Sequence, residues 1–123
     1  MTPPSRRLVV KVTSGQEAPE RLSQAVTVAA TAVASGVPVS LWLTGEASWL
    51  AVPGRAEELT LPHAAPLSEL RDLLLESGRV TVCTQCAARR ELTGADLLPG
   101  AEIRGAAAFV EEILADDVQA LVY

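Results

Sequence analysis

Short apolar runs rich in β-branched residues alternate along this chain with segments of helical periodicity, and that alternation leaves few folds open. Leu8-Val9-Val10-Lys11-Val12, Val39-Ser40-Leu41-Trp42-Leu43, Arg79-Val80-Thr81-Val82-Cys83 and Val118-Gln119-Ala120-Leu121-Val122 are the clearest runs. They read as strands covered on both faces. Ala101–Ile103 adds a short strand, and Glu58-Leu59-Thr60-Leu61 reads as a small strand or an extended edge. Between them, Pro19–Ser35 repeats Leu22, Val26, Ala29, Ala30 and Val33 at helical spacing. Pro19 suits a first turn and Gly36 a left-handed stop. Pro66–Ser77 places Leu67, Leu70, Leu73 and Leu74 on one face, with Gly78 as its stop. Shorter helices are predicted over Glu46–Leu50, Gln85–Glu91, Gly94–Leu97 and Gly105–Ala115. Strands and helices in alternation give a mostly parallel sheet with right-handed crossovers, hence a compact α/β domain.

The chain has 123 residues, 49% of them apolar and 20% charged, which fits one folded domain and excludes intrinsic disorder. A net charge of −5 argues against direct binding of nucleic acid or anionic lipid. Nine of the ten basic residues are arginine, and Lys11 is the single lysine, a bias that reads as coding-level composition. The run after Met1 is broken by Lys11, too short for a signal peptide, which needs about 7–15 apolar residues. No stretch approaches the roughly 20 apolar residues of a membrane helix. A cytoplasmic location without membrane contact is the expectation.

Parallel sheets bind ligands beyond the carboxyl ends of their strands. Three such ends carry small or polar residues: Thr13-Ser14-Gly15, Thr44-Gly45 and Cys83-Thr84. Ser14, Gly15, Thr44, Gly45 and Thr84 are therefore candidate pocket residues. Cys83 ends a strand immediately before a helix, where unpaired N–H groups lower a thiol's pKa. Cys86 follows one turn later, and Arg89 and Arg90 on the same helix either add positive potential or simply face solvent. Close cysteine pairs in intracellular chains serve redox, sulfur or metal chemistry. The competing reading is that both cysteines are packed as small hydrophobes.

Other site signatures are weak. Zinc normally takes four ligands, and Cys83, Cys86 and the lone His63 are one short, so no metal is assigned and a site shared between subunits is the weak alternative. No cofactor is expected, because G-x-G-x-x-G and G-x-x-x-x-G-K-[ST] are both absent. The chain lacks G-x-S-x-G and has one histidine, which argues against a hydrolytic triad. The cysteine pair falls in the last third of the chain, which argues against a thioredoxin fold. Glu111-Glu112 and Asp116-Asp117 read as a solvated helix end and turn, Trp42 as core or interface, and Trp49 as core packing, with a wall of the pocket as its alternative.

Several segments together resemble the DsrE/DsrF-like (YchN-like) family. These are Thr13-Ser14-Gly15-Gln16-Glu17-Ala18-Pro19-Glu20-Arg21, the alanine-rich helix ending at Gly36, and Val39–Thr44 with Gly45, Trp49 and Leu50. Val80-Thr81-Val82-Cys83, Cys86-Ala87-Ala88-Arg89, Leu98-Pro99-Gly100-Ala101 and Gly105-Ala106-Ala107 extend the likeness over nearly the whole chain. The resemblance implies a three-layer α/β/α domain over residues 8–123 with a five-stranded parallel sheet, preceded by a flexible N-terminus over residues 1–7. It also implies homo-oligomers, commonly trimers or hexamers. In sulfur-relay members, a cysteine at the position of Cys83 accepts a persulfide sulfur from one protein and hands it to another. Cys86 is not required for that role, and leaves a reducible Cys83–Cys86 pair open.

Two functional classes follow. One is a sulfur carrier or sulfurtransferase using Cys83 alone or the thiol pair, so enzymatic activity is left undecided. The other is a non-enzymatic assembly module with packed or metal-binding cysteines. Self-association is expected in either, given the alanine-rich helices and the apolar end Leu121-Val122-Tyr123.

Overall fold

The computed structural model describes residues 6–123. The N-terminus expected to be flexible over residues 1–7 lies outside the described residues up to position 5, and Arg7 opens the first strand instead of preceding it. The elements run β1 (Arg7–Val12), α1 (Pro19–Ala34), β2 (Val39–Leu43), α2 (Leu67–Ser77), β3 (Arg79–Cys83), α3 (Thr84–Arg89), β4 (Ala101–Arg104), α4 (Ala106–Ile113) and β5 (Val118–Val122). A seven-residue 3-10 helix lies at Gly45–Ala51, and single 3-10 turns at Ala56–Glu58 and Gly94–Asp96. The five strands form one sheet in the order β4-β3-β2-β1-β5, and every neighbouring pair is parallel. The segment Glu58–Leu61 does not join it: Glu58 closes a 3-10 turn and Leu59 is extended only as its cap.

The order explains how the faces are covered. Three successive crossovers move the chain in one direction from β1 to β4, and the last reverses it to place β5 beside β1. Right-handed connections then put α1, α2 and α3 on one face and α4 alone on the other. On the first face Leu22, Val26, Ala29 and Ala30 of α1 pack on Val10, Val12, Leu41, Leu43, Val80 and Val82 of the sheet in one buried cluster. Burial along α2 differs from the expected leucine stripe. Leu67, Arg71 and Leu74 are the buried positions, whereas Leu70 and Leu73 are half-buried. Arg71 tolerates this because Glu57 and Asp72 both pair with its guanidinium. Burial disfavours its charge, but the two carboxylates more than offset this and hold its pKa above the ordinary value. The pair also ties the loop before α2 to the helix.

The second face depends on fewer groups. Residues of opposite parity point there, and Lys11, Trp42 and Thr81 lie in register across β1, β2 and β3. Trp42 is 1% exposed and meets the Phe109 ring of α4 edge-on, with centroids 5.3 Å apart. Such a geometry is worth about 0.5–1.5 kcal/mol beyond burial. The indole N–H donates to Glu112 Oε2 at 3.2 Å, and Arg104 donates to the same oxygen at 2.8 Å and to Thr81 Oγ1 at 2.8 Å. Glu112 is therefore not the solvated helix end that its neighbour Glu111 suggests. Removing it leaves a buried indole N–H and a guanidinium short of an acceptor. Glu112→Ala should cost about 1–3 kcal/mol in urea unfolding, whereas Glu111→Ala should stay within about 0.5 kcal/mol.

Candidate functional site

All strands being parallel, the carboxyl ends of β1, β2 and β3 share one rim, and the loops leaving them build the site. Two glycines set how closely those loops approach. Gly45 has φ +54°, and a Cβ there would lie 2.6 Å from the Thr13 carbonyl oxygen. A Cβ on Gly15 would lie 2.5 Å from the Glu46 carbonyl oxygen. No other residue fits either place without moving backbone. Thr44 is buried and donates its hydroxyl to the Val12 carbonyl at 3.1 Å, sealing β1 to β2 at the rim. Ser14 is also buried, and its hydroxyl accepts from Arg21 Nη1 at 3.2 Å. Both hydroxyls are thus engaged in building the rim.

Cys83 is the N-cap residue of α3, whose first residue, Thr84, lies one position before the helix start expected from the sequence. It is half-buried, and Cys86 is buried. Burial works against the Cys83 thiolate, but the backbone N–H groups of Cys86 and Gln85, the Cys86 thiol and the Lys11 ammonium together lower its pKa below the ordinary thiol value. Cys86 faces the neighbouring loop, where the Gly45 N–H donates to its sulfur at 3.1 Å. The glycine that the backbone geometry demands therefore also delivers a donor to the second thiol. Arg90 fastens α3 in place by donating to the Cys86 carbonyl at 3.0 Å and to Glu46 Oε1 at 3.3 Å.

The rim brings Ser14, Gly15, Thr44, Gly45, Cys83 and Cys86 together, but not every candidate. Arg89 is exposed in the last turn of α3, where among the described residues it makes no ion pair. Thr84 is exposed, with its hydroxyl beside Gly105 at the start of α4. His63 stands in an exposed turn with φ 64°, beside Glu20 and Gln24. No group of three or more His, Cys, Asp and Glu side chains suited to a metal assembles among the described residues. Cys83, Cys86 and His63 consequently do not form a ligand set within one chain, because His63 lies in the loop before α2 and not on the rim. Trp49 is half-buried under the Arg55 guanidinium, 4.4 Å from its ring centroid, on a groove shared with Gly15 and Glu46. Sequence reasoning missed Lys11 and Arg104. Their only signal is parity: both fall on the strand positions that share a face with Cys83.

The model of the DsrE/DsrF-like family matches residues 6–119. No curated protein matches the sequence significantly. Among solved structures, the YchN protein from E. coli superposes with a TM-score of 0.79 at 17% identity, covering 96% of this chain and 99% of that one. MTH1491 from Methanobacterium thermoautotrophicum, described as a protein of unknown function, superposes at 0.72 with 11% identity, covering 97% and 100%. At these identities the likeness establishes the three-layer α/β/α fold.

Timed iodoacetamide labelling with peptide mapping checks the thiol geometry. Cys83 should label faster than Cys86 at neutral pH, with a rate midpoint below that of a free cysteine. A Cys83 that stays silent until the protein unfolds would refute the assignment. The depressed pKa also links to stability: above the folded-state value the unfolded chain holds the proton that the native chain has released. Stability relative to Cys83→Ser should therefore rise with pH toward the ordinary thiol range and be lost as pH falls through the folded-state pKa. Gly45→Ala should cost about 1–3 kcal/mol, read by thermal melting.

Proposed function

Because this chain belongs to the DsrE/DsrF-like family, we propose that it is a sulfur-relay protein in which Cys83 accepts a persulfide sulfur and passes it on. The observation that carries this reading is the half-buried Cys83 thiol, whose surroundings favour the thiolate at the rim of the sheet. The thiolate attacks the terminal sulfur of a donor protein's persulfide. The donor S–S bond breaks, the donor leaves as a thiolate that takes up a proton, and Cys83 carries the transferred sulfur. An acceptor protein's thiolate then attacks that terminal sulfur and restores the Cys83 thiolate. No net oxidation or reduction occurs, and no cofactor is required.

Cys86 adds a second exit. Its thiolate attacks the inner sulfur of the Cys83 persulfide, a Cys83–Cys86 disulfide forms, and hydrosulfide leaves. The thiols are oxidised while the carried sulfur is reduced, and an external dithiol must reset the pair. The Gly45 N–H fixes the Cys86 sulfur at the rim, one helical turn from Cys83. Intact-mass spectrometry after exposure to a persulfide donor should show a gain of one sulfur, lost in Cys83→Ser and retained in Cys86→Ser. The absence of any adduct across donors would sink the carrier reading. Stoichiometric zinc in freshly purified protein, lost on substituting either cysteine, would favour the assembly-module reading instead.

Self-association, as a trimer or hexamer, belongs to the same proposal. The face covered by α4 leaves Val110, Leu114 and Val122 exposed at 48%, 76% and 66%, and α4 has no fully buried residue. Light scattering should give a mass well above the 12.9 kDa of one chain, and Leu114→Glu should lower it. A monomer at micromolar concentration would count decisively against it. No helix among the described residues is long and apolar enough to cross a membrane.

A further inference from the structure

The single lysine of this chain stands where an arginine would be the compositional default, since nine of ten basic residues are arginine. Lys11 sits inside β1, half-buried, on the sheet face that also bears Trp42, Thr81 and, two residues nearer the rim, Cys83. Its ammonium lies 5.1 Å from the Phe109 ring centroid. Arg71, Arg79, Arg90 and Arg104 each pair with a carboxylate, but Lys11 makes no ion pair among the described residues. One aromatic ring contributes only about 0.5–2 kcal/mol toward such a cation, which leaves room for an anionic partner. The charge that would complete it is on the same face.

We infer that Lys11 is the counter-ion of Cys83, a positioning residue that stabilises anionic sulfur at the rim before, during and after the transfer. Of the other charged groups on this face, Arg79 pairs with Glu102, and Arg7 stands at the opposite end of β1 from the rim. Arg104 lies opposite Cys83 in the register of β3 and β4, but it is held by Glu112 of α4 and by Thr81. Cys86 of α3 contributes a thiol and no fixed charge. Arg89 of α3 is exposed to solvent, so among the described residues Lys11 is the half-buried basic residue on this face without a carboxylate partner. The Lys11 ammonium adds to the lowering of the Cys83 pKa, after the larger contributions of the Cys86 and Gln85 N–H groups and the Cys86 thiol.

The chemistry gives the charge a role at each stage of the transfer reading on which this inference rests. Negative charge starts on the Cys83 sulfur, spreads along the three-sulfur line during attack, and afterwards resides on the terminal sulfur of the carried persulfide. A fixed ammonium stabilises all three without giving up a proton. The compact ammonium on a flexible stem can follow that displacement, whereas a planar guanidinium is suited to forked, fixed partners.

The test compares Lys11→Met and Lys11→Arg with the unaltered chain in rates of Cys83 alkylation against pH, followed by peptide mapping. In Lys11→Met the midpoint should move to higher pH, and the thiolate fraction at neutral pH should fall about threefold or more. Lys11→Arg should recover most of the profile. The ratio of iodoacetate to iodoacetamide rates should also drop in Lys11→Met, a charge-specific readout that a packing defect would not move. Should Lys11→Met fail to fold, Lys11→Gln takes its place, and loss of the iodoacetate preference at high salt in the unaltered chain reads the same charge. Superimposable profiles and unchanged rate ratios would overturn the inference. A shifted profile without persulfide loading would leave the counter-ion standing and remove the sulfur-relay reading, so the two failures are distinguishable.

Discussion

A parallel sheet must be covered on both faces, and here the strand order gives one face to a single helix of eight residues. Everything on that face is arranged around this shortage. A polar cluster substitutes for the layer of apolar side chains that a second helix would supply. Trp42 provides the buried area, Phe109 meets it edge-on, and the Glu112 carboxylate gathers the indole N–H and the Arg104 guanidinium into one hydrogen-bonded unit. The Glu112 carboxylate and the Thr81 hydroxyl accept from the indole and from one guanidinium nitrogen, which offsets much of the cost of burying them, while Arg104 Nε is left without a partner. The same scarcity leaves Leu114 and Val122 to the outside.

The candidate site inherits both faces. Cys83 has the parity of Trp42 and Thr81, so it belongs to the sparsely covered, charged face, while Cys86 turns toward Gly45 and the loop after β2. One thiol is therefore half-exposed beside cations, and its neighbour is buried against backbone. That difference follows from placing a strand end and a helix start on consecutive residues. The chain reverses its facing between β3 and α3, so two cysteines three apart meet different surroundings. Arg90 preserves the arrangement by fastening the short helix α3, which at six residues has little intrinsic stability, to Glu46.

The strands were legible because burial on both faces demands nearly unbroken apolar runs, and Val39–Leu43 and Val118–Val122 are found with the expected bounds. Helix α1 was legible for the related reason that its apolar stripe recurs at helical spacing, although Val33 is only half-buried at its end. The stripe on α2 was misread. Leucine looks like core in any helix, yet Arg71 takes a buried position because Glu57 and Asp72 neutralise it there. Glu58–Leu61 looked extended, and nothing local revealed that Glu58 closes a 3-10 turn in the loop before α2.

The sequence by itself determined the order of strands and helices, the parallel class and the position of Cys83 at a strand end. These depend on local periodicity and on neighbours a few residues apart. Only the tertiary structure decided which face each charge serves. Glu112 joins Trp42 from seventy residues away in sequence, and Lys11 shares a face with Cys83 only because three strands align in register. A single chain read in order carries no record of such pairings. They arise from the sheet order and from the scarcity of cover on one face.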